Sequence, residues 1–133
     1  MKKILFVDDD HGMRRTMSMN FRGKNWIDIF EAEDGEGAIR AVNEISPELI
    51  FLDVSMPGGL NGFDVLKEIK SNPSTRGIIV AMVTAESNPD EMDKAKAHGA
   101  DGYFVKPFNP FETYKWGVKK ITEIADSDVL PGT

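Results

Sequence analysis

The chain alternates between short continuous apolar runs and longer stretches in which apolar residues recur every three or four positions. Short continuous runs are typical of strands covered on both faces, and a spacing of three or four is typical of amphipathic helices. Strands are predicted at residues 3–8, 26–32, 48–53, 78–83 and 102–105. Helices are predicted at about 13–22, 35–45, 62–71 and 89–98, with a last helix that begins near residue 109 or 110.

Five strands that alternate with five helices predict a particular architecture. A βα alternation gives a parallel sheet with helices on both faces, and right-handed crossovers restrict the strand order. We therefore expect an α/β, flavodoxin-like, doubly wound (βα)5 fold, a three-layer sandwich with a five-stranded parallel sheet of order 2-1-3-4-5. At 133 residues the chain fits one domain, predicted over residues 1–125. Residues 126–133 are polar and are interpreted as a C-terminal tail or the start of a linker.

Composition narrows the classes of partner. The formal net charge of -6 argues against a broad nucleic-acid footprint and against docking on an anionic membrane. The chain has no cysteine, which excludes disulfides and thiolate chemistry. Its apolar runs are far shorter than a secretory signal or a membrane span requires. We expect a cytoplasmic protein that binds neither nucleic acid nor membrane through this domain.

Polar residues that could carry chemistry follow four of the five predicted strands. The carboxyl ends of parallel strands share one edge of the sheet, so these side chains should converge on one crevice. Taken singly, each has a plain structural explanation, such as a helix cap, a strand end or a turn. Their joint placement favours a functional site. The residues are Asp8, Asp9 and Asp10 after the first strand, Asp53 after the third, Thr84 after the fourth and Lys106 after the fifth.

Such an arrangement of charges requires compensation. Two carboxylates about 4 Å apart repel by about 4 kcal/mol at an effective dielectric constant of 20, and a single lysine is too little for three of them. A divalent cation is implied, and oxygen ligands suit Mg²⁺ or Mn²⁺. Acid, cation, lysine and hydroxyl together indicate a phosphoryl-transfer site. Asp53 is the candidate nucleophile, which would form an acyl phosphate.

Four ordered motifs resemble a known family. They are residues 4–10, residues 52–57 with Gly62, residues 83–85 and residues 103–108. Over nearly its whole length, about residues 2–124, the chain resembles the receiver domain of two-component response regulators, which are CheY-like. The resemblance implies that Asp53 is the phosphoacceptor, supplied by a sensor histidine kinase or a histidine phosphotransfer protein. It also implies that Asp8, Asp9, Asp53 and the backbone carbonyl of Ser55 hold Mg²⁺, with Asp8 acting through water.

The resemblance implies further roles on the same edge. Lys106 pairs with the acceptor and then with the phosphoryl group, and its peptide bond to Pro107 is cis. Thr84 is the hydroxyl that moves to the phosphoryl oxygen, and Tyr103 is the aromatic switch behind it. Phosphorylation would change the surface of the fourth helix, fifth strand and fifth helix, which would act on a partner, an output or a second copy. The protein would be a signalling switch, with only self-phosphorylation and self-dephosphorylation as its own chemistry.

Two further features concern the loop beside the acceptor and the last helix. The loop at residues 58–61 has one residue more than the commonest family spacing, beside the acceptor. Trp116 falls off the apolar stripe predicted for the last helix, so it is either a partly covered surface aromatic or an exposed contact for a partner. The stripe consists of Phe111, Tyr114, Val118, Ile121 and Ala125.

Other functions fit parts of the pattern. A small haloacid-dehalogenase-like aspartyl phosphatase would use Asp8 as its nucleophile, but it leaves the segment around Asp53 unexplained. A flavodoxin is disfavoured because aspartates after the first strand would repel the FMN phosphate. A phosphorylation-independent interaction module would not need the acids, Thr84 and Lys106 together. Labelling by acetyl phosphate separates these alternatives, since a label on Asp53 supports the receiver and a label on Asp8 supports the phosphatase.

Overall fold

The structure, a computed structural model, describes residues 1–85 and 88–123. The described residues form five strands and five helices in strict alternation. The strands are β1 (Lys2–Val7), β2 (Ile27–Ala32), β3 (Leu49–Asp53), β4 (Ile79–Thr84) and β5 (Gly102–Val105). The helices are α1 (His11–Ser18), α2 (Gly35–Ile45), α3 (Gly62–Ser71), α4 (Pro89–Ala97) and α5 (Pro110–Thr122).

The strands form one parallel sheet of order β2-β1-β3-β4-β5, which confirms the predicted fold and strand order. Its register aligns the carboxyl ends of the central strands. Val7 lies opposite Leu52, and Asp53 lies opposite Val83. Thr84 lies opposite Val105, so the residue after β5 emerges beside the end of β4. The polar residues that follow these strands therefore share one edge.

The sheet separates two apolar cores. The core on one face lies under α2, α3 and α4, with Leu66 and Met82 among its fully buried members. The core on the other face lies under α1 and α5 and is rich in aromatic rings. There the rings of Phe6 and Phe51 stack with their centroids 5.4 Å apart, and Phe21 meets both. Burial on both faces explains why the central strands are continuous apolar runs.

Helix starts follow their capping residues. The side chain of Asp34 accepts a hydrogen bond from the amide of Gly37 and begins α2, as predicted. Asn61 and Asp64 form a capping box at the start of α3. Asn88 and Asn109 begin α4 and α5, each followed by a proline in the first turn. Local side-chain chemistry therefore fixes where the helices begin beside the site edge.

The first helix is shorter than predicted. The apolar spacing predicted a helix to about residue 22, but α1 ends at Ser18. The amides of Phe21 and Arg22 both donate to the carbonyl of Ser18, and Gly23 has a φ of 80°. Phe21 is nevertheless fully buried. The helical spacing at this position reflects packing into the core, because the chain turns here while Phe21 still points inward.

One aromatic residue of α5 is placed differently from the prediction, and a second matches one of its two predicted alternatives. Phe111 was assigned to the inward stripe, and that assignment is wrong because its side chain is 52% exposed. Val118 and Ile121 of the same stripe are buried as predicted. Trp116 is half-buried, with its ring edge-on to Phe104 at 5.3 Å between centroids. This packing fits the partly covered aromatic and gives no exposed anchor for a partner. Ala125 and the predicted tail at 126–133 lie outside the described residues.

Candidate functional site at the carboxyl edge of the sheet

Asp53 is the last residue of β3 and is almost completely buried, with 4% of its surface exposed. Oδ1 of its carboxylate lies 3.3 Å from Nζ of Lys106, which follows β5. The amide of Lys106 donates to the carbonyl of Thr84 at 2.7 Å, and the amide of Val54 donates to the carbonyl of Val83 at 2.9 Å. Sheet-like hydrogen bonds thus continue past the strand ends and fix where Asp53 and Lys106 face each other.

Asp8, Asp9 and Asp10 form the loop between β1 and α1. Asp8 is 1% exposed, and its Oδ2 accepts from Nζ of Lys106 at 3.0 Å. Its Oδ1 accepts from the amide of Asp10 at 2.9 Å. Asp9 is exposed, while the side chain of Asp10 caps α1 through the amide of Gly12. The three aspartates therefore have different environments, and Asp10 has a structural role.

Carboxylate oxygens of Asp8, Asp9 and Asp53 lie within 4.8 Å of one another and could hold a metal ion. Burial raises the pKa of Asp53 from 3.8 to about 6, and the negative charge of Asp8 acts in the same direction, while Lys106 and the Ser55 amide act against both. Burial acts to lower the pKa of Lys106, but hydrogen bonding and charge from Asp8 and Asp53 outweigh it and raise that pKa. The site therefore lacks positive charge, which is what a divalent cation would supply.

Thr84 and Tyr103 lie on neighbouring strands behind the acids. Thr84 ends β4 and is 4% exposed. Tyr103 lies in β5, is half-buried, and packs against the core under α4. Ala85 follows Thr84 and is exposed, while Glu86, two positions after Thr84, is outside the described residues. The Lys106–Pro107 peptide bond is cis, as the resemblance implies.

The loop after β3 accommodates its additional residue by close packing at one end and exposure at the other. A Cβ at Gly62 would collide with the carbonyl oxygen of Asp53, so only glycine fits there. Leu60 packs against Gly35 at the start of α2, where an added Cβ would lie 2.6 Å from the Cβ of Leu60. Gly58 has a φ of 97°, and a Cβ there would have no neighbour within 4 Å. Gly58 and Gly59 therefore form the exposed tip of the loop.

Sequence reasoning missed one residue that contacts this site. Nη1 of Arg14, in α1, donates to the backbone carbonyl of Asp8 at 2.8 Å. Its Nε donates to Oε1 of Glu31, at the end of β2, at 2.7 Å. The sequence holds only a weak signal for this contact, since Arg14 follows Asp10 by one helical turn and Glu31 lies at the matching end of the neighbouring strand.

Comparison with known proteins identifies the family. A model of the response regulator receiver domain matches residues 4–115. The chain belongs to the response regulator receiver domain family. In this respect the resemblance found in the motifs is confirmed. Family membership favours the receiver over the phosphatase and flavodoxin alternatives.

Two curated relatives of this chain are response regulators. The phosphate regulon transcriptional regulatory protein PhoB of Escherichia coli is 33% identical over 132 residues, which cover 97% of this chain and 57% of PhoB. The DNA-binding response regulator MtrA of Mycobacterium leprae is 34% identical over 111 residues, 84% of this chain and 47% of MtrA. The chain spans about half the length of these curated relatives.

Solved receiver domains share the fold. The chemotaxis protein CheY4 of Vibrio cholerae is 31% identical with a TM-score of 0.77, covering 91% of this chain and 98% of CheY4. The receiver domain of Francisella response regulator 1452 is 25% identical with a TM-score of 0.82, covering 92% of this chain and 98% of that domain.

Within residues 1–85 and 88–123, no helix is both long and apolar enough to cross a membrane.

Proposed function

We propose that this receiver domain accepts a phosphoryl group on Asp53 in a cytoplasmic two-component phosphorelay. The observation that carries the proposal is the shared contact of Lys106 with two buried carboxylates, those of Asp8 and Asp53, at 3.0 and 3.3 Å. A lysine held between two carboxylates at the carboxyl edge of the sheet can balance the added negative charge when a phosphoryl group binds there. The donor is a phosphohistidine of a sensor histidine kinase or of a histidine phosphotransfer protein.

The acidic cluster fits Mg²⁺ or Mn²⁺. Its donors are carboxylate oxygens, which hard divalent cations prefer, and the raised pKa of Asp53 reflects burial together with uncompensated negative charge. Asp8, Asp9 and Asp53 would hold the ion, with Asp8 through water and with the backbone carbonyl of Ser55 as a further ligand. When bound, the ion would neutralise charge on the phosphoryl oxygens.

Three residues of the chain have separate roles in the transfer of the phosphoryl group. A carboxylate oxygen of Asp53 attacks the phosphorus of the phosphohistidine, so that a P–O bond forms as the P–N bond breaks and the imidazole leaves. With a pKa of about 6, Asp53 is mostly ionised at neutral pH and can act as the nucleophile. Lys106 moves from the carboxylate to a phosphoryl oxygen, and the hydroxyl of Thr84 donates to another. Hydrolysis of the acyl phosphate by water releases inorganic phosphate and restores the carboxylate of Asp53.

The conformational change that follows phosphorylation is transmitted from the site through β5. Tyr103 is one residue from Phe104 and three from Lys106, so movement at Thr84 and Lys106 shifts a strand that is covered by α4 and α5. We propose that the surface formed by α4, β5 and α5 carries the phosphorylation state to a partner protein or to a second copy of the chain. Family membership and the shared fold support this proposal.

Acetyl phosphate with Mg²⁺ tests the acceptor directly. The wild-type protein should acquire an acid-stable, base-labile label, and Asp53→Asn should acquire none. Asp8→Asn is the matched control for the phosphatase alternative, because it should slow labelling while the label still maps to Asp53. Labelling of Asp53→Asn, or a label mapped to Asp8, would contradict the proposal. A wild-type protein that takes no label with Mg²⁺ would instead favour the phosphorylation-independent module.

A further inference from the structure

The side chain of Arg14 braces the loop that carries two of the acids. It extends from α1 across the end of β1 and is only 13% exposed. Its guanidinium meets the carbonyl of Asp8 through Nη1 at 2.8 Å and Glu31 through Nε at 2.7 Å. Nη2 lies 3.4 Å from Nδ1 of His11 in the first turn of the same helix. One planar group thus links α1, β2 and the β1–α1 loop.

These contacts fix the peptide group between Asp8 and Asp9. The amide of Asp8 donates to the carbonyl of Ala32 at 3.2 Å, and its carbonyl accepts from Arg14 at 2.8 Å. The carboxylate of Asp8 is held separately by the amide of Asp10 at 2.9 Å. The peptide plane that carries the carbonyl of Asp8 also carries the amide of Asp9. Fixing this plane therefore holds the backbone of Asp8 in place and restricts the directions in which the side chain of Asp9 can leave the backbone.

The positive charge of Arg14 forms an ion pair with a neighbouring carboxylate. Its Nε pairs with Oε1 of Glu31, while Nη2 of Arg22 lies 3.7 Å from the other oxygen of Glu31. A free arginine near a cation site would repel the cation, and the ion pair with Glu31, which Arg22 shares, offsets part of this repulsion. Lysine cannot replace this geometry, because a single ammonium cannot contact Glu31 and the Asp8 carbonyl in the same fixed orientation.

We propose that Arg14 is a positioning residue that sets the affinity of the Asp8, Asp9 and Asp53 cluster for a divalent cation. The inference rests on the cation site of the proposed function, and it does not depend on phosphoryl transfer. Residues that orient metal ligands typically change metal affinity about 10- to 100-fold when they are replaced. We expect Arg14→Ala to bind Mg²⁺ about 10-fold more weakly and Arg14→Lys to bind it several-fold more weakly.

The direction of the effect separates positioning from charge. If Arg14 acted only through its positive charge, its removal would strengthen Mg²⁺ binding, since a repulsive charge would be lost. Positioning predicts the opposite. Arg15→Ala is the matched control, because Arg15 lies in the same helix, is exposed, and removes the same charge. Its affinity for Mg²⁺ should stay within about twofold of wild type.

Calorimetric titration of the apoprotein with Mg²⁺ alone provides the primary measurement. If Arg14→Ala does not fold, Arg14→Lys carries the test, since it keeps the charge and most of the side chain. Wild-type affinity in Arg14→Lys and Arg14→Ala, or tighter binding in Arg14→Ala, would overturn the proposal. Guanidinium ion added to Arg14→Ala should restore part of the lost affinity, and failure of this rescue together with unchanged affinity in Arg14→Lys would also overturn it.

Labelling by acetyl phosphate gives a second measurement that a purely structural role would not reproduce. The Mg²⁺ concentration that gives half the maximal rate should rise about 10-fold in Arg14→Ala, while the rate at saturating Mg²⁺ stays within about twofold. A fall in the saturating rate with an unchanged Mg²⁺ requirement would contradict the proposal. Loss of the proposed function would appear differently, as a label that persists in Asp53→Asn.

Discussion

Nζ of Lys106 lies 3.3 Å from Oδ1 of Asp53 at the carboxyl edge of the sheet, although the two residues are 53 positions apart in the chain. The same Nζ lies 3.0 Å from Oδ2 of Asp8, so one ammonium serves two buried carboxylates. Burial and the charge of Asp8 outweigh Lys106 and raise the pKa of Asp53 to about 6. Without a further cation, the ionised site costs the native state free energy.

This cost gives Asp53 a measurable effect on stability. The ordinary pKa of its carboxyl is 3.8 and the pKa in the folded protein is about 6, so the native state binds the proton more tightly. The resulting stabilisation is complete below about pH 3.8 and is lost as the pH rises through about 6. We expect the free energy of unfolding of wild type to fall by at most about 3 kcal/mol across this window, relative to Asp53→Asn.

Urea denaturation in EDTA, from about pH 4 to pH 7.5, checks this expectation. The asparagine variant has no carboxyl at position 53 and serves as the reference for all other titrating groups. Added Mg²⁺ should recover much of the lost stability of wild type at the upper end of this range, because a bound cation stabilises the native state by mass action. Parallel pH profiles for the two proteins in EDTA would show that burial and Asp8 do not perturb Asp53.

Replacement of Lys106 by methionine should worsen the charge imbalance. The methionine fills similar space but leaves Asp8 and Asp53 without their ammonium, so the pKa of Asp53 should rise further. At about pH 7.5 in EDTA we expect a loss of about 3 kcal/mol in the free energy of unfolding, in line with breaking a buried ion pair. Carbon-13 NMR titration of the Asp53 carboxyl and urea denaturation measure the two effects.

The matched control is Lys119→Met, on the exposed side of α5. It removes the same charge from the surface and should change the free energy of unfolding by no more than about 0.5 kcal/mol. A pKa of Asp53 that falls in Lys106→Met would contradict the electrostatic account of the site. Equal losses in the two variants would show that net charge, not the local contact, sets the effect.

The fold was predictable because its local signals agree. Each predicted strand matches the observed one to within one residue at either end, since continuous apolar runs mark the double-sided burial of this sheet. The boundaries predicted for α2 and α3 match the observed ones, and capping by Asp34 and Asn61 explains where the two helices begin. The end of α1 was not predictable from spacing, because Phe21 packs into the core from a turn.

The site was predictable in composition but not in geometry. Topology places Asp8, Asp53 and Lys106 on one edge, which the sequence alone indicates. It does not indicate that Lys106 contacts both acids, or that Arg14 reaches the Asp8 carbonyl, because such distances depend on loop paths and rotamers. Phe111 shows the limit of periodicity, since a residue in the first turn of α5 fits the apolar stripe and is still 52% exposed.

The two glycines at the tip of the β3–α3 loop should differ in their tolerance of alanine. Gly58 has a φ of 97°, a backbone conformation that residues with a Cβ rarely adopt. We expect Gly58→Ala to lower the free energy of unfolding by about 1–2 kcal/mol. A Cβ at Gly59 would meet only Oε1 of Glu36 at 3.7 Å, so Gly59→Ala should change stability by no more than about 0.5 kcal/mol. Urea denaturation at neutral pH compares them, and equal costs would contradict the assigned conformation.

The contact between Gly102 and Trp116 couples β5 to α5. A Cβ at Gly102 would lie 2.5 Å from Cζ2 of Trp116, with the rest of the indole close behind. We therefore expect Gly102→Ala to lower the free energy of unfolding by about 2 kcal/mol through overpacking. Since β5 carries Tyr103 and leads directly to Lys106, the same variant should also slow the labelling of Asp53 by acetyl phosphate.

A double-mutant cycle with Trp116→Phe assigns this cost to the contact. The smaller ring lacks the indole atoms that the new Cβ would meet, so it should relieve part of the overpacking. The double variant should be more stable than the sum of the single changes predicts, by about 1 kcal/mol or more. Strictly additive changes would show that Gly102→Ala acts on the β5 backbone alone. Recovery of the labelling rate along with stability would instead show that the clash with the indole displaces β5 and, with it, Lys106 at the acceptor.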